Sequence, residues 1–274
     1  MPEPVLPEAV AARLARARAS IQALGRATVA FSGGVDSTVL VRLARDVLGR
    51  ERVTAVTARS ASLASEDLAE AVRLAREMDV RHELVDTGEL DDPRYRANQG
   101  DRCYVCKREL FDVLARRFAG PILYGAIGDD RASERPGQRA AAERGVRAPL
   151  QEAGLAKEEI RLIARAWGLS NWDRPQNACL ASRLPQGLTV TPERLRQVED
   201  AERWLRTEGF RQVRVRLTGA GARIEVGRDE VVRLAEPGLR DRVLSALYPL
   251  GFTEVTIDPA GYRPGGANQE HVSA

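Results

Sequence analysis

The sequence predicts an α/β protein: a parallel sheet with helices on both faces, followed by a small α+β domain. Three observations carry this. Short apolar runs alternate with helix-periodic stretches through the first 185 residues. A glycine-containing loop follows the first apolar run, where open parallel sheets place their ligands. Beyond Leu184-Pro185-Gln186-Gly187 the pattern becomes helix, hairpin, helix, strand. A length of 274 residues suits one large domain or two smaller ones. The division is therefore placed at residues 1–185 and 186–274.

Each element has a local cause. Val10, Leu14, Ala17, Ile21 and Leu24 recur at spacings of 4 and 3 residues, which is one face of a helix. That segment lacks the apolar core of a secretory signal, and Glu3 and Glu8 set it apart from a mitochondrial presequence. It reads as a packing helix of a protein in a reducing cytoplasm. Residues 27–31 form a buried-strand run, and Val39, Leu40, Leu43 and Val47 share one side of the helix after the loop. Residues 53–58 read as strand, 65–79 as helix, 81–85 as strand, 102–118 as helix and 121–126 as strand. In the second domain, Thr191-Pro192-Glu193 opens a helix to residue 208 with a cap and a proline at the first helical position. Residues 212–217 and 222–226 alternate apolar with polar, joined by Thr218-Gly219-Ala220-Gly221 as a hairpin. Residues 229–248 are helical, interrupted at Pro237-Gly238, and 253–257 are a last strand. The tail from Gly261 reads as a surface extension.

Composition narrows the function. A chain 43% hydrophobic and 30% charged builds a core. No apolar run reaches the roughly 20 residues of a membrane helix. Three cysteines are too few, and odd in number, for a disulfide scaffold. A net charge of +3, with 39 acidic residues interleaved among the basic ones, is no nucleic-acid footprint. Among 42 basic residues only Lys107 and Lys157 are lysines.

Ser32-Gly33-Gly34-Val35-Asp36-Ser37 stands between strand and helix. Two glycines permit positive φ and close approach of the backbone to a ligand. Successive N–H groups and a helix N-terminus form an anion cup, to which the Ser32 and Ser37 hydroxyls can donate. Asp36 would repel phosphate unless a Mg²⁺ lies between them. A glycine turn with capping serines is the plainer alternative. The hexapeptide resembles the pyrophosphate loop of the PP-loop ATP pyrophosphatases, which split ATP into AMP and pyrophosphate. That resemblance implies an adenine nucleotide alpha hydrolase-like fold and places the adenine near Ser60, after the second strand.

Cys103 and Cys106 form Cys-Tyr-Val-Cys at a helix start, and Cys179 lies just before the domain boundary. The pattern suits a metal site or an activated thiol; three unrelated thiols are the alternative. The only histidines, His82 in a strand and His271 in the tail, make a closed zinc site hard to assemble. A [4Fe–4S] cluster takes four thiolates, so three would leave one iron open.

Several runs are similar to the LarE family: Arg102-Cys103-Tyr104-Val105-Cys106-Lys107, Arg135-Pro136-Gly137, Gly145-Val146-Arg147-Ala148-Pro149-Leu150 and Glu152-Ala153-Gly154-Leu155-Ala156-Lys157. So are Ala178-Cys179-Leu180-Ala181-Ser182-Arg183, Arg214-Val215-Arg216, Ala222-Arg223-Ile224-Glu225-Val226 and Gly261-Tyr262-Arg263-Pro264-Gly265. The likeness runs in order from about residue 8 to 268. It departs at Gly125-Ala126-Ile127-Gly128, where the family shows Gly-Thr-Asn, while Asp129 and Asp130 match. The resemblance implies an ATP-dependent sulfur transferase of nickel-pincer nucleotide assembly, the cofactor of lactate racemase. It would adenylate a carboxylate of pyridinium-3,5-biscarboxylic acid mononucleotide and convert it to a thiocarboxylate. By the same resemblance Ser32, Gly33, Gly34, Asp36, Ser37, Ser60 and Gly125 hold ATP and Mg²⁺, with Asp36 and Cys179 catalytic. Arg183, Glu202, Arg214 and Arg216 hold the substrate, although the Arg214/Arg216 pair alone would also suit a solvated strand face. Family members with three cysteines look built for a [4Fe–4S] cluster on Cys103, Cys106 and Cys179. Members with the Cys179 equivalent alone give up its sulfur and turn over once. The resemblance also implies a homo-oligomer, with a nickel insertase and a pyridinium carboxylase as pathway partners. Rival readings are a PP-loop tRNA thiolase, an amide-forming synthetase, and a nucleotide- or metal-sensing binding protein.

Overall fold

The structure is a computed structural model and describes residues 6–128, 136–219, 221–234 and 236–263. The chain forms two compact units, one from residues 1–89 and 103–176, the other from 90–102 and 177–274.

The first unit is the expected parallel sheet. Its strands are β1 (Ala27–Ala30), β2 (Val53–Arg59), β3 (Arg81–Asp86) and β4 (Ile122–Tyr124), in the order β3-β2-β1-β4. Val29 pairs with Ala55 on one side and Leu123 on the other, all parallel. The helices before and between the first strands are α1 (Glu8–Gln22), α2 (Val35–Leu48) and α3 (Ser65–Glu77). They are followed by α4 (Pro93–Arg96), which belongs to the second unit, then α5 (Arg102–Arg117), α6 (Pro136–Glu143), α7 (Pro149–Glu152) and α8 (Lys157–Ala166). Side chains alternate across a strand, so each strand serves two cores. Val29, Ala55 and Leu123 join Leu14, Leu40, Leu74 and Ile163 of α1, α2, α3 and α8. Ala30, Val56 and Ile122 join Phe111 and Leu114 of α5 and Ala141 of α6. Helices therefore cover both faces.

The second unit contains α9 (Pro192–Thr207), β5 (Val213–Thr218), β6 (Gly221–Val226), α10 (Val231–Leu234), α11 (Pro237–Leu247) and β7 (Val255–Ile257). Thr191 caps α9, its side chain accepting from the Arg194 N–H. β5 and β6 pair antiparallel from Val213↔Val226 to Thr218↔Gly221, and β7 runs parallel to β6. Leu195, Val198 and Leu205 of α9 are buried with Val213, Val215, Ile224 and Val226 of the sheet and Val243 of α11.

Three expectations change. The boundary placed at 185 comes earlier, between Gln176 and Asn177, and the second unit also takes in residues 90–102. Side-chain bonds explain both shifts: Arg183 is paired with Glu202 of α9, and Asn98 is tied to the segment around Pro185. The strand expected over 121–126 is only Ile122–Tyr124, because the chain turns at Gly125 beside the start of α2. Helices α6, α7 and α8 fill a stretch where the sequence predicted none. Asp129, Asp130 and Arg135, and the tail from Pro264 with His271, lie outside the described residues.

Asn98 is a keystone of the second unit. It has φ +52°, a conformation tolerated by Asn better than by other side chains. It is 3% exposed, its Nδ2 donates to the carbonyls of Pro185 at 2.7 Å and Leu188 at 3.1 Å, and its own carbonyl accepts from Gly187. Asn98→Ala is expected to lower stability by about 2–4 kcal/mol, from the lost donor and the left-handed backbone together. Asn98→Gly should recover about 1 kcal/mol of that, by relieving the backbone alone. Urea unfolding of the full-length protein checks both; equal losses would remove the backbone part of the explanation.

Candidate active site

In the first unit the carboxyl ends of the parallel strands carry the predicted nucleotide residues. β1 runs into the Ser32–Ser37 loop, which opens α2. Gly33 has φ +71°, and a Cβ there would lie 3.2 Å from the backbone of Ala71 on α3. Among the described residues the backbone N–H groups of Gly33, Val35, Asp36 and Ser37 have no partner, as an anion cup at a helix N-terminus requires. The carbonyls are occupied instead. Gly34 O accepts from Ser37 Oγ at 3.0 Å, Thr38 Oγ1 at 2.9 Å and Thr38 N at 2.9 Å. Since Ser37 Oγ donates there, it accepts from Ser32 Oγ at 3.2 Å. A Cβ on Gly125, just after β4, would fall 2.9 Å from the Ser37 nitrogen, so only glycine leaves that N–H uncovered. Ser60 follows β2 and accepts from the Ser62 N–H at 3.2 Å.

Asp36 is not free. Lys157 Nζ, at the start of α8, donates to both its oxygens at 2.6 and 2.7 Å, with each side chain about a quarter exposed. The carboxylate thus already attracts a cation at the mouth of the cup, which is the chemistry a Mg²⁺ accompanying a polyphosphate would use. Farther back, Thr57 Oγ1 donates to the Phe31 carbonyl at 2.7 Å, so His82 Nε2 donates to Thr57 Oγ1 at 2.9 Å. Burial pushes His82 below the ordinary imidazole range, which keeps it neutral.

In the second unit the sheet has two buried faces. Val213, Val215, Ile224 and Val226 make the apolar one. Arg214 and Arg216 lie on the other, 4% and 7% exposed, so the alternative of a solvated strand face is set aside. Arg216 Nε donates to Glu225 Oε1 at 2.5 Å, and Arg223 and Asp258 extend the network. Arg214 lies 5.0 Å from the ring centroid of Tyr262. Burial, with Arg183 nearby, pushes the Arg214 guanidinium down to about 10. An arginine so desolvated gains strongly from an anion.

Glu202 is fully buried and accepts from Arg183 Nε at 2.8 Å, Arg183 Nη2 at 3.0 Å, Arg206 Nη2 at 2.9 Å and the Val215 N–H at 3.1 Å. Burial alone would raise its pKa; Arg183, Arg214 and Arg206 outweigh that and hold it below the usual carboxylate range. Arg183 is 1% exposed. Beyond Glu202 it donates to the carbonyl oxygens of Ala178 and Cys179, to Ser182 Oγ and to Asn177 Oδ1. The guanidinium expected at the substrate is turned inward, onto the loop that carries Cys179.

Cys179 is exposed and precedes a 3-10 turn, Leu180–Arg183. In the first unit, Cys103 is exposed and Cys106 half-buried, in the first turn of α5. Among the described residues no disulfide joins any of the three. The start of α6 lies close by: a Cβ on Gly137 would be 3.6 Å from the Cys103 carbonyl and 3.1 Å from Lys107 Cγ. Among the described residues, no three Cys, His, Asp or Glu side chains come together as a group that could hold a metal ion.

Lys157 had a signal in the sequence, since it is one of two lysines in an arginine-dominated chain. Asn171, which touches the loop, had none: its partners lie far away in sequence. No helix among the described residues is long and apolar enough to cross a membrane.

A family model described as NAD synthase matches residues 13–101, the stretch that holds β1, the glycine loop, β2 and β3. An uncharacterised protein of Synechocystis is 42% identical over 250 residues, covering 90% of this chain and 93% of that protein. The pyridinium-3,5-bisthiocarboxylic acid mononucleotide synthase of Lactiplantibacillus plantarum is 37% identical over 260 residues, covering 93% of this chain and 94% of that protein. A more distant protein of Methanocaldococcus jannaschii is 23% identical over 239 residues. With a match of that strength running through both units, the chain belongs to the pyridinium-3,5-bisthiocarboxylic acid mononucleotide synthase family, the LarE family that its motifs resemble.

Proposed function

We propose that this protein is an ATP-dependent, AMP-forming sulfur transferase that converts a carboxylate of pyridinium-3,5-biscarboxylic acid mononucleotide to a thiocarboxylate. The observation that carries this is the near full-length match to the Lactiplantibacillus plantarum synthase. The site geometry supports the chemistry. A carboxylate is a poor electrophile. Attack of its oxygen on the α-phosphorus of ATP expels pyrophosphate and leaves an acyl-adenylate, from which a sulfur nucleophile displaces AMP. The free N–H groups of Gly33, Val35, Asp36 and Ser37 would bind the leaving pyrophosphate, with Gly34 leaving room for it and the Ser32 and Ser37 hydroxyls turning to it from their present partners within the loop. Asp36 would hold the accompanying Mg²⁺, with Lys157 moving from Asp36 to the phosphates. Ser60 and Gly125 would border the nucleotide. Arg214 and Arg216 would bind the phosphate of the mononucleotide. Glu202 and Arg183 would fix that pocket and the Cys179 loop.

Two sulfur sources have support. Cys103, Cys106 and Cys179 at least partly reach solvent, as ligands loaded from outside must, and would hold a [4Fe–4S] cluster. Such a cluster would supply sulfide from its remaining iron. The second source would be the Cys179 thiol itself, exposed on its turn. A cytoplasmic homo-oligomer, working with a nickel insertase and a pyridinium carboxylase, completes the reading.

Pyrophosphate and AMP should form only when ATP and the pyridinium dicarboxylate are both supplied. Nucleotide binding without pyrophosphate release would favour a sensor, and release driven by tRNA would favour a thiolase. Asp36→Asn is expected to slow pyrophosphate formation about 100-fold or more. Arg214→Ala should raise KM for the mononucleotide about tenfold while KM for ATP stays constant; a rise in both would remove Arg214 from the phosphate. Anaerobically isolated protein should carry about four irons per chain if the cluster is the source. If Cys179 is the source, mass spectrometry after turnover should show loss of one sulfur and two hydrogens there, and Cys103→Ala should keep full activity.

A further inference from the structure

The peptide between Gly33 and Gly34 has an unusual freedom. A peptide flanked by two glycines can rotate with little steric penalty, because neither residue resists positive φ. One orientation turns the Gly33 carbonyl out of the cup. The other would aim that oxygen at the place where phosphate oxygens bind, and partial negative charge would face negative charge.

Something must hold the first orientation: Arg174 Nη1 reaches the Gly33 carbonyl at 3.5 Å, and Asn171 makes the shorter bond. Asn171 lies after α8, 3% exposed. Its Nδ2 donates to the Gly33 carbonyl at 3.0 Å and to Thr38 Oγ1 at 3.0 Å. Thr38 Oγ1 passes its own proton to the Gly34 carbonyl at 2.9 Å. One amide group thus engages two successive loop carbonyls, the first directly and the second through a hydroxyl. The reverse orientation of the amide would set oxygen against oxygen, so this network also fixes the amide.

The other half of the side chain is consistent with a dedicated donor. Asn171 Oδ1 is buried and has no hydrogen-bond partner among the described residues. A buried unpaired carbonyl is destabilising, and an apolar residue would avoid it. The retained group is therefore the NH₂. The neighbouring chain anchors it. Ser170 Oγ donates to Glu77 at 2.7 Å, Arg161 Nη2 donates to the Arg174 carbonyl at 2.9 Å, and Arg174 Nη2 is paired with Asp67 at 2.8 Å. Glu77 and Asp67 belong to α3, the helix whose Ala71 closes against Gly33.

We propose that Asn171 is a positioning residue for the nucleotide: it locks the Gly33–Gly34 peptide with its carbonyl outward, so that the cup presents N–H groups alone. The inference rests on ATP being the anion bound there.

The test uses the full-length protein with Asn171→Asp, which has nearly the same shape but an acceptor in place of the donor, and Asn171→Ala. ATP affinity is measured without the second substrate, then KM for each substrate, with the melting temperature of each variant. Both variants should weaken ATP binding and raise KM for ATP about tenfold or more, with Asp the worse, while KM for the pyridinium mononucleotide stays within about twofold. ATP affinity within about twofold of the parent in a folded variant would overturn the proposal, as would KM values rising together. Failure of both variants to fold would overturn it too, because the bond would then serve the fold and not the loop. A parent protein that binds no ATP would instead refute the nucleotide reading on which the proposal rests.

Discussion

Arg183 and Glu202 form a bidentate ion pair from which water is almost wholly excluded, and the second unit is organised around it. Two desolvated charges are tolerable only if nearly every lone pair and proton finds a partner. That requirement ties together α9, which carries Glu202, β5, whose Val215 N–H completes the carboxylate, and the turn bearing Cys179, whose carbonyls complete the guanidinium. Losing one partner of such a pair costs about 3–5 kcal/mol, since the other charge stays buried alone. Cys179 is thereby exposed on a turn whose backbone is held by charge-assisted bonds. The thiol can face solvent while its own peptide cannot wander.

The first unit solves a different electrostatic problem. Parallel strands end together, so the loops after β1, β2 and β4 share one edge of the sheet. An anion there is favoured only where N–H groups face it and carbonyls do not. Glycines open the space: Gly33 against α3, Gly125 against the Ser37 nitrogen. Side chains then take the carbonyls. Lys157 and Asp36 neutralise each other at the rim.

Much of this was legible in the sequence where its cause is local. The alternation of strand and helix, the loop between β1 and α2, the capped start of α9 and the hairpin all depend on residues a few positions apart. Arg214 and Arg216 were legible as neighbours on one strand face, because alternation is a local property. Their burial was not, since it depends on what covers that face. Arg183 was expected at the substrate on the family resemblance, and its pairing with Glu202, nineteen residues away, left no local signal. Asn171 gave no sign at all: its bonds reach Gly33 and Thr38 across more than a hundred residues. The compact units differ from the expected division for the same reason, as the bonds of Asn98 to the segment near Pro185 span far more chain than any periodicity covers.

Because residues 90–102 belong with 177–274, the chain passes between its two units three times. On the ribosome this separates the order of synthesis from the order of completion. The strap holding Asn98 and Tyr95 emerges while the carbonyls it will bind at Pro185 and Leu188 do not yet exist. The first unit must form its sheet with that strap looped out. No cut at a single position can yield two whole halves, so gene fusion or domain shuffling would have to move the pair as one piece.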